Sequence, residues 1–146
     1  MMLKEPFISI CILSYNRPET LLRLLKTIDS SNTKEIEIIV CEDCSPRQTE
    51  IRKVVDDFIK INKYSIIYKE NQKNLGYDGT LCELVKYANG VWIVFMGDDD
   101  EFVPGALDIV IDFLGQNSEL GYVLKSHCTI LENKKKEPFR YFNKTV

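Results

Sequence analysis

The sequence predicts an α/β fold, a mostly parallel sheet with helices on both faces. Three observations carry this. First, apolar runs of strand length alternate with segments whose apolar residues recur at helical spacing, the mark of repeated strand–helix–strand units with right-handed crossovers. Second, the runs FISICIL and VWIVFM carry no charge and are rich in β-branched and aromatic residues, as expected of strands buried on both faces of a parallel sheet. Third, the first four runs each exit into a polar segment: SYNR, EDCS, ENQKNLG and GDDD. In sheets of this kind ligands bind at the carboxyl ends of the strands, near the point where strand order reverses.

Taken in order, Phe7 to Leu13 is the first strand and ends at Ser14-Tyr15-Asn16-Arg17. Pro18 opens a helix, a position where its missing N–H costs nothing. Leu21, Leu22, Leu25 and Ile28 form the apolar stripe of that helix. Asp29 to Lys34 is a polar loop. Ile36 to Cys41 is the second strand and ends at Glu42-Asp43-Cys44-Ser45-Pro46. Ile51, Val54, Val55, Phe58 and Ile59 then recur at helical spacing. Tyr64 to Tyr68 is a third, shorter strand leading into the turn-rich loop Glu70 to Gly76.

A third helix carries Leu81, Leu84, Val85 and Ala88 and is stopped by Asn89-Gly90. Val91 to Met96 is the fourth strand, expected to be buried on both faces. Gly97 breaks it, and Asp98, Asp99, Asp100 and Glu101 follow at once. Pro104 starts a fourth helix with Leu107, Val110, Ile111 and Leu114 inward, and Gly115 ends it. Tyr122 to Leu131 is strand-like with a bend near its middle. Lys134-Lys135-Lys136 reads as a solvated turn before Phe139 to Phe142. There is no repeat, low-complexity segment or linker, so residues 1–146 are expected to form one domain.

Composition narrows the function. A formal net charge of -3 offers no basic footprint for nucleic acid. The longest apolar run is far below the ~20 residues of a membrane span, and MMLKEPF lacks the apolar region of a signal peptide. Five cysteines, an odd set largely in strand-like or helix-like segments, fit a reduced, cytoplasmic interior better than a disulfide framework. Cys41 and Cys44 have CxxC spacing, but a redox pair normally opens a helix and zinc needs two further ligands.

The polar exits gather Tyr15, Arg17, Asp43, Asn74, Asp98, Asp99 and Asp100 along one edge of the predicted sheet. Three successive aspartates repel one another unless a positive charge sits among them, and a hard divalent cation holding phosphate oxygens is one physical reason for them. An aromatic ring, a carboxylate on the second strand and an acidic cluster on the fourth suit a nucleoside diphosphate. The ring stacks on the base, Asp43 accepts a base N–H, and the cluster holds Mg²⁺ or Mn²⁺ against the phosphates. Each residue also has a plainer use. Tyr15 can cover the core, Arg17 can be a solvated side chain at a helix start, Asp43 can cap a turn, and Asn74 and Gly76 can be turn chemistry.

Other chemistries lack their residues. No GxGxxG, GxxxxGK[ST] or GxSxG is present. His127, the one histidine, lies in a strand-like run where a structural role is expected. An EF-hand loop from Asp98 fails at Val103 and Ile109. A receiver-like domain needs acidic residues after the first strand, where Ser14-Tyr15 stands, and a phospho-acceptor aspartate after the third, where Lys69-Glu70 stands. A nucleotidyltransferase needs a Gly-rich, Arg-containing loop where SYNRPE is found.

From Ile8 to about Leu131 the chain resembles the N-terminal half of an inverting family 2 glycosyltransferase with the Rossmann-like GT-A fold. The carriers are ISICILSYNRPETLLRLLKTI, IEIIVCEDCSP, NLGYDGTL and WIVFMGDDDEFVPGAL. The GDDD form and NLGYD loop are closest to abequosyltransferase-like members. The resemblance implies that Tyr15 stacks on the base, Asp43 bonds it, Asp99 ligates the metal and diphosphate, and Asp98 contacts ribose or metal. Gly97 occupies the first position of the usual DxD, so Asp98 and Asp100 form a shifted alternative. The implied substrates are a nucleoside-diphosphate sugar donor and a glycan or lipid-linked acceptor, in polysaccharide or cell-surface glycan synthesis, in the cytoplasm or at the inner face of the membrane.

Relatives of this kind continue past the acidic motif into an acceptor site and a general base, usually an aspartate, which an inverting transfer requires. No residue here can be assigned that role, so the chain is expected to be a truncated donor-binding half. The alternative is a catalytically incomplete nucleotide-sugar-binding module. Truncation also predicts uncovered apolar surface over Tyr122 to Phe142, and with it self-association.

Overall fold

The computed structural model describes residues 6–123, 127–130 and 136–139. Four parallel strands form its main sheet: β1 (Ile8–Ser14), β2 (Ile36–Glu42), β3 (Ser65–Glu70) and β4 (Trp92–Gly97), in the order β3-β2-β1-β4. The chain winds outward from β1 through β2 to β3, then returns to the other side of β1. The order therefore reverses between β1 and β4, which places the ligand crevice of such a sheet there.

Four helices connect and cover the strands: α1 (Pro18–Thr27), α2 (Gln48–Ile61), α3 (Gly76–Val85) and α4 (Ala106–Gln116). Strand alternation divides their packing. Ile8, Ile10 and Ile12 of β1 and Ile36, Ile38 and Val40 of β2 face one way, against Leu21, Leu24 and Leu25 of α1, Ile51, Val55 and Phe58 of α2, and Leu107, Ile111 and Leu114 of α4. Cys11, Ile39 and Cys41 face the other way, against Leu84 of α3. Helices thus lie on both faces, as the alternation predicts.

Boundaries differ in detail. The α1 stripe includes Leu24, fully buried, while Leu22 is only half-buried. Ile59 and Val85, expected inward, are exposed. The helix α3 ends at Val85, and Ala88 packs from the turn beyond it. Gly115 lies inside α4, which runs to Gln116. Of the strand-like run 122–131, strand is found at His127–Ile130, β5, paired antiparallel with β6, Lys136–Phe139. Residues 124–126, 131–135 and 140–146, including most of the Lys134–Phe142 reading, lie outside the described residues. Met1–Gly115 and Gln116–Val146 form separate compact units; β1 to β4 lie in the first and the β5–β6 pair in the second.

One prediction needs correction. β4 is not buried on both faces: Ile93 and Phe95 are 37% and 46% exposed, while Trp92, Val94 and Met96 join the core on the other face. The strand occupies the sheet edge, and the α3 contacts fall on β1 and β2. An unbroken apolar run cannot reveal which of its two faces a helix will cover.

A buried polar knot closes the amino end of the sheet. The pairing Ser9↔Glu37 lets the Ser9 hydroxyl donate to Glu37 Oε1, which also accepts the Asn89 main-chain N–H at 2.6 Å. Asn89 Nδ2 donates to Oε2 at 3.2 Å, and Gly90 N–H donates to Ser9 Oγ at 2.7 Å. A Cβ on Gly90 would stand 2.5 Å from Ser9 N, so only glycine allows this approach.

Candidate active site at the carboxyl rim

The rim is assembled by hydrogen bonds that continue the sheet ladders past the strand ends. Asp43 N–H donates to Ser14 O at 3.0 Å, Asp98 N–H to Leu13 O at 3.2 Å, and Asn71 N–H to Glu42 O at 2.9 Å. All three exits are thereby fixed to their neighbours. Asp43 and the aspartates after β4 stand at the same ends of the strands flanking β1, on one rim, as the topology requires.

At the switch point the β1 and β4 exits are joined directly. Asp98 Oδ2 accepts the Tyr15 main-chain N–H at 3.0 Å. The Arg17 guanidinium forks across the acidic cluster, with one nitrogen 2.6 Å from Asp98 Oδ1 and the other 2.7 Å from Asp99 Oδ2. Arg17 is thus the positive charge among the aspartates. Asn16 makes the turn possible by adopting φ +59°, a left-handed conformation that asparagine tolerates better than most residues. The Tyr15 ring is 41% exposed, open to a stacking partner.

The three aspartates differ sharply. Asp98 has no solvent exposure. Its Oδ1 has no well-directed hydrogen bond despite the nearby guanidinium. Burial pushes the Asp98 carboxyl above the usual aspartate range, opposed by the Tyr15 N–H, by Arg17 and by the neighbouring Ser14 hydroxyl. Asp99 is half-exposed and paired with Arg17. Asp100 folds back, its Oδ2 accepting Gly97 N–H at 3.0 Å. A Cβ on Gly97 would lie 2.9 Å from Asp99 Oδ1. A side chain there would bring its Cβ against the carboxylates of Asp99 and Asp100, which would have to turn aside.

Asp43 sits one strand away and is only 3% exposed. Its Oδ1 accepts Asn71 Nδ2 and Leu75 N–H, both at 2.8 Å, and Oδ2 accepts Gly76 N–H at 2.9 Å. The carboxylate therefore anchors the β3–α3 loop at the helix N-terminus, where negative charge is favoured. Asn74 Oδ1 also accepts Gly76 N–H at 2.9 Å, and Gly76 takes φ +72°. Glu42, fully buried, accepts Cys44 N–H at 3.0 Å, Ser45 N–H at 2.8 Å and Gln48 Nε2 at 3.0 Å, fixing the start of α2.

The structure thus brings together Tyr15, Arg17, Asp98 and Asp99, with Asp100 in the adjoining turn, and sets Asp43 and Asn74 in the neighbouring loop. Sequence reasoning passed over Asn71, which bonds both Asp43 and, at 3.3 Å, Thr80 Oγ1. It also passed over Tyr77, 64% exposed in the first turn of α3. Neither carries a signal beyond its place in a polar loop.

The donor chemistry suits a hard divalent cation, since every candidate is a carboxylate oxygen and Asp98 Oδ1 is a buried oxygen awaiting a directed partner. In the conformation seen, no group of three or more His, Cys, Asp or Glu side chains among the described residues could hold a metal ion. Asp98 and Asp99 face Arg17, and Asp100 faces Gly97.

The observed order β3-β2-β1-β4 makes this a parallel α/β domain with an acidic cluster and an exposed tyrosine at its switch point. Residues 9–144 match the model of glycosyl transferase family 2, and the chain belongs to that family. It is 29% identical over 113 residues to abequosyltransferase RfbV of Salmonella typhimurium, covering 77% of this chain and 34% of that protein. It is 28% identical over 117 residues to the GalNAc(5)-diNAcBac-PP-undecaprenol beta-1,3-glucosyltransferase of Campylobacter jejuni, covering 80% and 36%. The crystal structure of S. aureus TarS 1-349 in complex with UDP-GlcNAc superposes with a TM-score of 0.68 at 23% identity over 76% of this chain and 32% of that one. The mannosyltransferase PcManGT of Pyrobaculum calidifontis, in complex with GDP-Man and Mn2+, gives 0.68 at 16% identity over 77% and 33%. These likenesses establish the GT-A fold. The chain spans between a third and a half of the length of the first curated relatives it matches.

Proposed function

We propose that residues 1–146 form the donor-binding domain of a glycosyltransferase, which binds a nucleoside-diphosphate sugar with Mg²⁺ or Mn²⁺ at the β1/β4 crevice. The sugar passes to an acceptor hydroxyl in polysaccharide or cell-surface glycan synthesis. The observation that carries the reading is the convergence of Tyr15, Arg17, Asp98 and Asp99 at the switch point of a family 2 sheet. In this reading Tyr15 stacks on the base and Asp43 holds the β3–α3 loop beside it. Asp99, with Asp98 and Asp100, holds the cation. The bound cation supplies Lewis-acid stabilisation of the departing diphosphate.

The names of relatives support a glycan or lipid-linked acceptor, one of them naming an undecaprenol diphosphate. Among the described residues no helix is long and apolar enough to cross a membrane. In this reading no residue of the chain is assigned as general base. A binding module without turnover is the second reading. Donor hydrolysis or transfer by the chain would remove it. Exposed Tyr122 and Val123 support self-association, which sedimentation over a concentration series tests.

The primary test is calorimetry with UDP, GDP, CDP and dTDP in the presence of Mn²⁺. One of them binds with a Kd between about 1 μM and 1 mM, roughly -8 to -4 kcal/mol. The reading falls if none gives heat, or if Asp99→Ala binds as well as the native protein.

A further inference from the structure

We infer that Arg17 is a tethered counter-cation of the acidic rim that competes with the divalent ion for Asp98 and Asp99. This rests on the donor-binding reading above and deepens it: the two cations compete for one rim.

Three features of the site carry the inference. The guanidinium touches both carboxylates that the family motif offers to a metal, at 2.6 Å and 2.7 Å. A hard cation takes its oxygen ligands at about 2–2.6 Å, so at Asp98 Oδ1 and Asp99 Oδ2 it competes with the guanidinium for the same carboxylate charge. Asp98 Oδ1 is also the one side-chain oxygen of the rim aspartates that is buried without a directed hydrogen bond. The guanidinium neutralises it without saturating it, whereas a directly coordinated cation would. Finally, the position of Arg17 is built in. It precedes Pro18 at the N-cap of α1, after the left-handed Asn16, and the Tyr15 N–H is tied to the same aspartate. The turn delivers this side chain to the β4 exit across 82 residues of sequence.

Arg17 also balances the charge of the rim. Three adjacent carboxylates, one of them fully buried, repel one another, and a buried charge left without its partner is strongly destabilising. Arg17 keeps them compatible with the fold. Its side chain is half-exposed, so it can swing into solvent while its backbone stays in place. Divalent-ion affinity in the absence of nucleotide is then set by competition with a tethered cation, and Arg17 lowers it.

The test is binding of Mn²⁺ alone, followed by the electron paramagnetic resonance of free Mn²⁺, to the native chain and to Arg17→Gln and Arg17→Lys. Each protein's fold is checked by circular dichroism and thermal melting, with binding of the four nucleoside diphosphates measured in parallel. Arg17→Gln is expected to bind Mn²⁺ at least about tenfold more tightly than native, with Arg17→Lys between them. In Arg17→Gln, Mn²⁺ should raise the melting temperature by more than it does in the native chain. If the native chain binds nucleotide with Mn²⁺ while folded Arg17→Gln binds Mn²⁺ equally or more weakly, the competition is refuted and the donor-binding reading stands. If Arg17→Gln does not fold, Arg17→Met carries the same decision, since it removes the charge and keeps the length of the side chain. If no protein binds Mn²⁺ or any nucleoside diphosphate, both are overturned.

Discussion

Glu37 and Asp98 are both carboxylates almost without solvent contact, 3% and 0% exposed, at opposite ends of one sheet. Glu37 is saturated by neutral donors: the Ser9 hydroxyl, the Asn89 N–H and the Asn89 carboxamide. Asp98 has one directed bond, to the Tyr15 N–H, and a guanidinium beside its other oxygen. Burial alone therefore does not separate these two carboxylates. Completeness of hydrogen bonding does, because a filled carboxylate has less capacity for a ligand than an unfilled one.

The largest expected effect lies at the saturated end. Glu37→Ala removes the acceptor for three donors; it strands the buried Ser9 hydroxyl, while exposed Asn89 turns to water. At 1–3 kcal/mol for the stranded hydroxyl, a loss of about 2 kcal/mol is expected, read as a shift in urea midpoint at constant m-value. Nucleotide affinity of the remaining folded protein should be unchanged. A stability loss below about 0.5 kcal/mol would show that the knot is ornamental and break the contrast with Asp98.

At the other end the effect is expected on binding and not on stability. Asp99 is half-exposed and its ion pair with Arg17 is open to water on both sides, so Asp99→Ala should change stability by no more than about 0.5 kcal/mol. Metal-dependent nucleoside diphosphate binding should fall at least about tenfold, ~1.4 kcal/mol, by calorimetry. Equal losses at Glu37 and Asp99 in both measurements would erase the distinction between the two ends.

How much of this could be read in the letters follows the same contrast. The elements were legible because apolar spacing reports the covered face directly: Ile51, Val55 and Phe58 are inward as their spacing requires. The rim was legible because parallel strands deliver their exits to one edge, which brought Tyr15, Arg17, Asp98 and Asp99 together from positions far apart in sequence. Contacts that depend on register were not legible. Glu37 in IEIIVC is one charge in an apolar run until β1 pairs Ser9 with it. The saturation of Asp43 depends on a loop that closes from β3. The exposed face of β4 depends on where α3 lands, which no feature of VWIVFM encodes.

Two buried thiols sharpen the comparison through pH. Burial, then the charge of Glu37, pushes the Cys11 thiol up to about 12; burial, then nearby Asp43, Glu83 and Glu42, pushes Cys41 up to about 11. Both folded values exceed the ordinary value of 9.0. The stabilisation is fully present below that value and is lost as pH rises through the folded values, because the unfolded chain releases these protons first. Stability should therefore decline between about pH 9 and 11, and Cys11→Val should flatten the decline. In native protein, exposed Cys44 and Cys82 should react with an alkylating thiol reagent well before Cys11 and Cys41.

The smallest effect expected is at the turns that deliver the rim. Asn16 and Cys44 both have positive φ, +59° and +56°, one after β1 and the other after β2. The conformation at Cys44 is imposed by Glu42, whose two oxygens accept the N–H groups of Cys44 and Ser45. Asparagine stabilises a left-handed turn locally, whereas cysteine gains nothing from it and bears the clash between its Cβ and the carbonyl. Cys44→Gly removes that clash, worth about 1–2 kcal/mol, against roughly 0.5–1 kcal/mol of extra chain freedom in the unfolded state. A net gain of about 0.5 kcal/mol is expected by urea titration, with a gain closer to zero for Asn16→Gly. A loss of stability in Cys44→Gly would mean that the cysteine side chain, and not the backbone turn, is what the β2 exit requires.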